Sequence, residues 1–350
     1  MIDFIIVGNG LAGISFAEIA LQNNKSIFVF DNNSQPSSRV AGGLYNPVVL
    51  KRFSEVWKAK EQIDFAFPLY HNIQSKLNVV FDFELPILRK LFSVEEQNNW
   101  FQAADKLNLA PFLDSKLVTR SYESIASPFH YGKVNFTGYL EISILIEAYQ
   151  IFLNSINSFS VDTFDYNAIK FLEDGIQYKN IKAKHIIFAE GFGLHANPYF
   201  NNLPLDGTKG ELLIIKAPNL KLDAVVKSSV FILPIGNDLY KVGATYDWTD
   251  KTNTPTEEGK QELVEKLSEL ISCDFEVIQH FAGVRPTVKD RRPLVGTHII
   301  HPQLHVLNGL GTRGVMLAPY LANQLFQHIE NNIPLEKEID IIRCYKKNRN

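Results

Sequence analysis

The sequence predicts an α/β fold: a Rossmann-like nucleotide-binding domain joined to a second domain built on a mixed antiparallel sheet. Three stretches predict it. At the N-terminus the apolar run Phe4-Ile5-Ile6-Val7 meets the turn Gly8-Asn9-Gly10-Leu11-Ala12-Gly13. A helical segment follows to about Asn23, and a second apolar run, 27–30, ends on Asp31. Further on, His185-Ile186-Ile187-Phe188-Ala189-Glu190-Gly191 reads as a buried parallel strand closed by a glycine turn, its carboxyl end towards a ligand crevice. From 207 to 285 the text changes to short strand-like runs with the hairpin signal Gly236-Asn237-Asp238.

Each part of the opening unit suits a dinucleotide. Gly8 allows the tight turn, Gly10 lets the backbone approach a pyrophosphate, and Gly13 lets the helix lie close against the sheet. The helix that Leu11 and Ala12 begin offers free N–H groups and a positive dipole end to phosphates. Asp31, followed by Asn32, stands where a carboxylate can accept ribose hydroxyls and repel a 2′-phosphate. This pattern by itself fits FAD and NAD alike.

Beyond the polar loop 32–39, the small apolar stretch Val40-Ala41-Gly42-Gly43-Leu44-Tyr45-Asn46-Pro47 predicts backbone packed against a flat group, with Gly42, Gly43 and Leu44 in contact. Residues 55–76 read as a helix that Pro68 kinks. Ser93 and Glu96 form a capping box before a helix that should bury Trp100, Phe101, Ala104 and Leu107. A long helix is expected over 137–157, with strands near 159–164 and 176–179. In the third block, 212–216, 229–233 and 239–244 are strand-like. Thr254-Pro255-x-Glu257 starts a helix striped by Leu263, Leu267, Leu270 and Ile271, and a strand over 276–284 follows. A strand–turn–helix, 304–330, closes the pattern.

The chain has 350 residues, enough for a large core and two domains. We read 1–80, 134–206 and 286–350 as a discontinuous nucleotide-binding domain, and 81–133 with 207–285 as the second. Hydrophobic content of 45% and charge of 21% are those of a globular protein, and a net charge of −3 gives no electrostatic reason to expect nucleic acid or an anionic membrane as partner. The one basic cluster in the sequence is the tail Arg343, Lys346, Lys347 and Arg349, read as a solvated end. Two cysteines, Cys273 and Cys344, fit a reducing compartment. The apolar segment 4–21 carries Asp3 and Glu18 beside its glycines, so it reads as a buried strand and helix; with no membrane span in sight, the expected location is cytoplasmic.

The C-terminal part identifies the cofactor by resemblance. It contains Gly283-Val284-Arg285-Pro286, then Asp290-Arg291-Arg292-Pro293-Leu294-Val295-Gly296. After these comes Leu307-Asn308-Gly309-Leu310-Gly311-Thr312-Arg313-Gly314-Val315-Met316-Leu317-Ala318-Pro319. Together with the opening glycines, the Ala189-Glu190-Gly191 strand end, Lys209-Gly210-Glu211 and Val242-Gly243-Ala244-Thr245, this resembles the D-amino-acid oxidase family, its glycine oxidase and sarcosine oxidase group. The resemblance covers most of the chain. It implies FAD, held by a discontinuous domain and roofed by the mixed sheet, with substrate between that sheet and the flavin ring. Neither Cys273 nor Cys344 falls in a flavin-contacting motif and no histidine lies near the Gly8–Gly13 turn, so the FAD is expected to be non-covalent.

Physical chemistry supports the same reading. A flavin accepting a hydride develops negative charge at its N1–C2=O edge. The turn containing Gly309, Gly311, Thr312, Arg313 and Gly314, leading into the helix of Val315 and Met316, could place free N–H groups there. Pro319 in the first turn of that helix would cost no hydrogen bond. By the resemblance, Arg285 grips the substrate carboxylate, for which a guanidinium fork is suited, and Arg313 points towards the active site. Phe231 stands where glycine oxidases carry an aromatic hydroxyl, with Tyr246 farther along as a second substrate-side aromatic. His195, His280 and His305 have no metal-ligand spacing, and no metal is expected.

The function expected is oxidation of the C–N bond of a small carboxylate-bearing amine, an amino acid or N-substituted glycine, by hydride transfer to flavin, with oxygen or another acceptor taking the electrons. No strong protein base is required when the amine arrives neutral. Residues 39–47 with 283–286 also resemble the oxidoreductase half of the bifunctional tRNA wobble-uridine modification enzyme, which implies removal of a carboxymethyl group from a modified tRNA uridine. A non-catalytic FAD-binding subunit is the third alternative.

Overall fold

The computed structural model describes residues 1–346, so Lys347 and Arg349 of the basic tail lie outside the described residues. Five parallel strands form the centre of the first sheet, in the order Phe159–Val161, Ile27–Asp31, Ile2–Val7, Ile181–Phe188 and Leu304–Asn308. Their alternation sends Phe4 and Ile6 to one face and Ile5 and Val7 to the other, and both faces are covered. Val7 pairs with Phe30 on one side and Phe188 on the other, so three strand ends stand level. The hairpin Ile169–Leu172 and Gly175–Tyr178 flanks the start of Ile181–Phe188.

Helices Leu11–Gln22, Ala59–Leu77, Ile142–Ser155 and Gly314–Asn331 pack together on the Phe4/Ile6 face. Pro319 is the sixth residue of the last helix, not part of its first turn as expected. Its ring therefore leaves the Val315 carbonyl without its helical donor. The buried Tyr70 hydroxyl, from the neighbouring helix, donates to that carbonyl at 2.7 Å.

The second sheet has eight strands, in the order Glu276–Arg285, Thr208–Lys216, Leu239–Gly243, Phe231–Pro234, Val225–Lys227, Ile87–Lys90, Tyr131–Val134 and Leu113–Val118. All neighbours are antiparallel except Val225–Lys227 with Ile87–Lys90. The Gly236-Asn237-Asp238 hairpin forms as expected, with positive φ at all three residues. Helix Glu257–Ser268 seals the back of this sheet with Leu263 and Leu267.

Four local expectations are corrected. The 137–157 segment is a strand, Gly138–Leu140, followed by the helix from Ile142, because Gly138 pairs between Tyr45 and Glu84 in a small third sheet. The Ser93-capped helix stops at Ala104, so helical spacing no longer applies at Leu107, which is 95% exposed; Phe101 is 38% exposed. Thr256, not Thr254, caps the later helix, accepting from the Gly259 N–H at 3.1 Å. Arg343 is no solvated end: its Nη2 donates to the Arg292 and Pro293 carbonyls at 3.2 and 2.9 Å.

Candidate active site

The opening turn is shaped by what its glycines avoid. Gly8 has φ +107°, and a Cβ there would run into the Ala189 carbonyl at the adjacent strand end. A Cβ on Gly13 would overlap the Gly8 carbonyl, so the helix lies directly against the turn. Gly10 differs: a Cβ would meet only Ser38 Oγ, at 3.2 Å, and otherwise project into an open cavity. Leu11 and Ala12 line that cavity, and no side chain caps this helix start. Its first N–H groups remain available to a ligand.

The closing glycines reach the same place. Gly309 and Gly311 have positive φ, and Gly314 begins the last helix against Leu11, where a Cβ would come within 3.2 Å of Leu11 Cδ1. Gly311, Thr312, Arg313, Gly314, Val315 and Met316 line the cavity from this side. Gly309 sits behind them, pressed towards the Leu294 N–H. Ala189 and Gly191 lie between the two turns, and Asn308 Nδ2 donates to the Gly191 carbonyl at 2.9 Å. Gly42, Gly43 and Leu44 form a further wall. The cavity holds about 730 Å³, within the range of cofactor sites.

Asp31 and Asn32 are not among the lining residues. The Asp31 carboxylate accepts from the Asn9 and Asn33 N–H groups, each at 2.5 Å, and so clasps the turn. Asn32 Nδ2 donates to Thr163 Oγ1 at 3.3 Å.

The second sheet forms the roof. Pairing of Thr208 with Arg285, Gly210 with Gly283 and Leu212 with Phe281 places these residues on one face, and alternation keeps Lys209 and Glu211 on the other. The Arg285 guanidinium lies over Gly210, in the volume any Cβ there would fill. Its Nη1 donates to the carbonyls of Lys209 and Thr245, both at 3.3 Å, and it stacks on the Tyr246 ring, 4.5 Å from the centroid. Nη2 and Nε have no hydrogen-bond partner among the described residues, and neither Arg285 nor Arg313 forms an ion pair there. Burial lowers the pKa of Arg285, with the Tyr246 hydroxyl opposing it. Burial likewise lowers that of Arg313. Both stay protonated, as arginine does, so two guanidinium groups without an ion-pair partner among the described residues face the cavity. Phe231 closes over Gly42, where a Cβ would sit 2.8 Å from its ring, and Tyr246 is 59% exposed at the edge.

Sequence reasoning missed the spatial roles of Gly210 and Gly283. Gly283 brings its strand onto the 36–38 turn, where a Cβ would stand 3.3 Å from Ser37 Cα. It also missed Lys51, Lys227 and Lys266 around the cavity. Gly210 lay inside a quoted motif, and the lysines carried no local signal.

The first helix start, with its Cβ-free approach at Gly10, suits a pyrophosphate, and the second helix start on the same cavity offers free N–H groups to an electron-rich ring edge, so the residues present fit a flavin dinucleotide. A dinucleotide floor under a roof that offers cations and apolar surface defines the class: an enzyme that works on a small anionic substrate against a bound dinucleotide. The chain belongs to the DAO family of FAD-dependent oxidoreductases, whose family model matches residues 3–327. It is similar to the glycine oxidase of Bacillus subtilis, 20% identical over 345 residues that cover 91% of this chain and 90% of that protein. It is also similar to the tRNA 5-methylaminomethyl-2-thiouridine biosynthesis bifunctional protein of Marinobacter nauticus, 25% identical over 215 residues. That match takes in 55% of this chain and 34% of the bifunctional protein, so it spans about a third of the relative's length. The iminodiacetate oxidase of Chelativorans has the same fold, with a TM-score of 0.79, 15% identity, and coverage of 96% of this chain and 98% of that one. FAD is thus the cofactor, and among the described residues no helix is long and apolar enough to cross a membrane.

Proposed function

We propose that the protein oxidises the C–N bond of a small amine bearing a carboxylate, an amino acid or an N-substituted glycine. The observation that carries this reading is the unpaired Arg285 fork in the roof. One nitrogen is tied to two carbonyls and the rest is uncommitted, as required to receive a carboxylate by two parallel hydrogen bonds. Bound FAD supplies the hydride acceptor. Arg285 holds the carboxylate, Tyr246 supports the guanidinium from its other face, and Arg313 adds positive charge at the closing helix start. Phe231 contributes apolar surface, so anchoring rests on charge, without the hydroxyl that glycine oxidases are expected to use at that position.

Of the described residues lining the cavity, Glu262 is the one carboxylate, it is paired with Lys266 at 2.5 Å, and none is histidine. The amine must therefore arrive neutral. With the carboxylate held by Arg285 and no acid or base at the nitrogen, the neutral amine keeps its lone pair free, so that loss of the α-hydrogen as hydride to a bound flavin would leave an iminium that water hydrolyses. The test is anaerobic bleaching of the flavin band at about 450 nm with glycine, N-methylglycine, D-amino acids and proline. At least one should bleach it, at a rate that rises with pH as the substrate amine deprotonates. A flavin that no carboxylate-bearing amine reduces would refute the reading.

A second reading attaches the same carboxymethylamine to a tRNA wobble uridine and removes the carboxymethyl group. It is supported by the partial match to the bifunctional tRNA-modifying relative and by the three lysines around the cavity.

A further inference from the structure

The fold assembles a second basic cluster, one the sequence does not show, at the far end of the roof. Strand register sets Phe281, Leu212, Gly243, Phe231, Lys227 and Arg89 in one row across six strands. The row starts on the strand that ends in Arg285 and finishes in cations. Lys90 follows Arg89, and Lys266 reaches the same rim from the covering helix. Arg89, Lys90, Lys266 and Ser229 line a second cavity of about 290 Å³, and Ser229 and Lys266 also line the cofactor cavity, so the two adjoin.

These cations are poorly neutralised. Glu96 stands 3.5 Å from Arg89, Glu262 takes Lys266, and Glu269 is the remaining acid at the rim. Lys227 and Lys90 have no acidic partner among the described residues, although Lys90 is only 8% exposed. Burial first, then Arg89 and Lys266, bring the Lys227 ammonium down to about 8. A buried, unpaired cation is costly, and a bound anion removes the cost.

We propose that Lys227, Arg89, Lys90 and Lys266 form a phosphate subsite for a substrate whose amine end reaches Arg285. The proposal rests on the amine reading for that inner end. Four strand steps separate the Arg285 strand from the Lys227 strand, about 19 Å at about 4.8 Å per step. One amino acid does not span that gap, whereas a nucleotide-sized substrate does. The phosphate is that of a nucleic-acid strand or of a free phosphorylated amine.

The test is equilibrium binding to the FAD-loaded protein. Anisotropy follows a fluorescent single-stranded oligoribonucleotide, and calorimetry follows pyrophosphate. Lys227→Met and Arg89→Gln should each weaken binding about tenfold or more and lower the salt slope by about one. Lys182→Gln, the same charge change on the other sheet, should leave it unaltered, and retained flavin reports folding. Oligoribonucleotide binding that pyrophosphate displaces assigns the subsite to a nucleic-acid phosphate; pyrophosphate binding alone assigns it to a small phosphorylated amine. Absence of both, or equal binding by all three variants, overturns the proposal. Flavin bleaching is scored separately: amines that bleach with no phosphate binding remove the subsite alone, and phosphate binding with no bleaching removes the amine reading.

Discussion

Gly10 and Gly210 face the same cavity from opposite walls, and each is valuable for the space it leaves. At Gly10 the missing Cβ leaves room for a ligand, since the nearest protein atom would be Ser38 Oγ at 3.2 Å. At Gly210 the missing Cβ leaves room for the protein's own Arg285 guanidinium. The floor is thus built to admit a cofactor through a few adjacent residues. The roof is built to hold one side chain through residues 75 positions apart. Cofactor retention and substrate recognition should therefore fail separately.

The sharpest break is Gly10→Val. Its side chain would occupy the pyrophosphate's approach while disturbing little of the protein, so the purified variant should be colourless at about 450 nm yet unfold within a few degrees of the flavin-free parent. Gly210→Ala should do the reverse: flavin is retained, and displacement of Arg285 lowers kcat/KM about 100-fold, measured as amine-dependent flavin reduction.

Smaller effects lie behind the floor. Tyr70→Phe leaves the Val315 carbonyl beneath Pro319 buried without a donor, which should cost about 1–3 kcal/mol, read from the denaturant midpoint. Glu190 is the mildest case. It accepts from the Tyr166 hydroxyl at 2.6 Å and Asn197 Nδ2 at 2.8 Å, and burial, outweighing both, raises its pKa from 4.5 to about 7. The unfolded chain releases that proton first, so Glu190 contributes a stability that is full below about pH 4.5 and lost as pH rises towards 7. Glu190→Gln should flatten the pH dependence of Tm across that window.

The same contrast explains what could be read in advance. The opening unit was legible because its determinants are local: glycines at fixed spacing between two apolar runs, and Asp31 closing on the turn itself through the Asn9 N–H. The roof strands were visible as apolar runs, but their order was not, because register joins residues such as Lys227 and Arg89 across 138 positions. The basic rim at Arg89, Lys90 and Lys227 carries no local signal for that reason. Leu107 departs from the expected apolar stripe because helical spacing carries no information past the helix end at Ala104, and Pro319 falls in the second turn because the helix already begins at Gly314. Arg285 was found through resemblance; its isolation from acidic partners emerges only in three dimensions.

The central claim is that Arg285 receives the substrate's carboxylate. The most direct measurement compares anaerobic flavin reduction by a reactive amino acid and by its primary amide, in the parent and in Arg285→Met with flavin retained. The account predicts that the parent prefers the acid by about 100-fold or more and that the variant shows almost no preference. A preference that survives unchanged in Arg285→Met would contradict it.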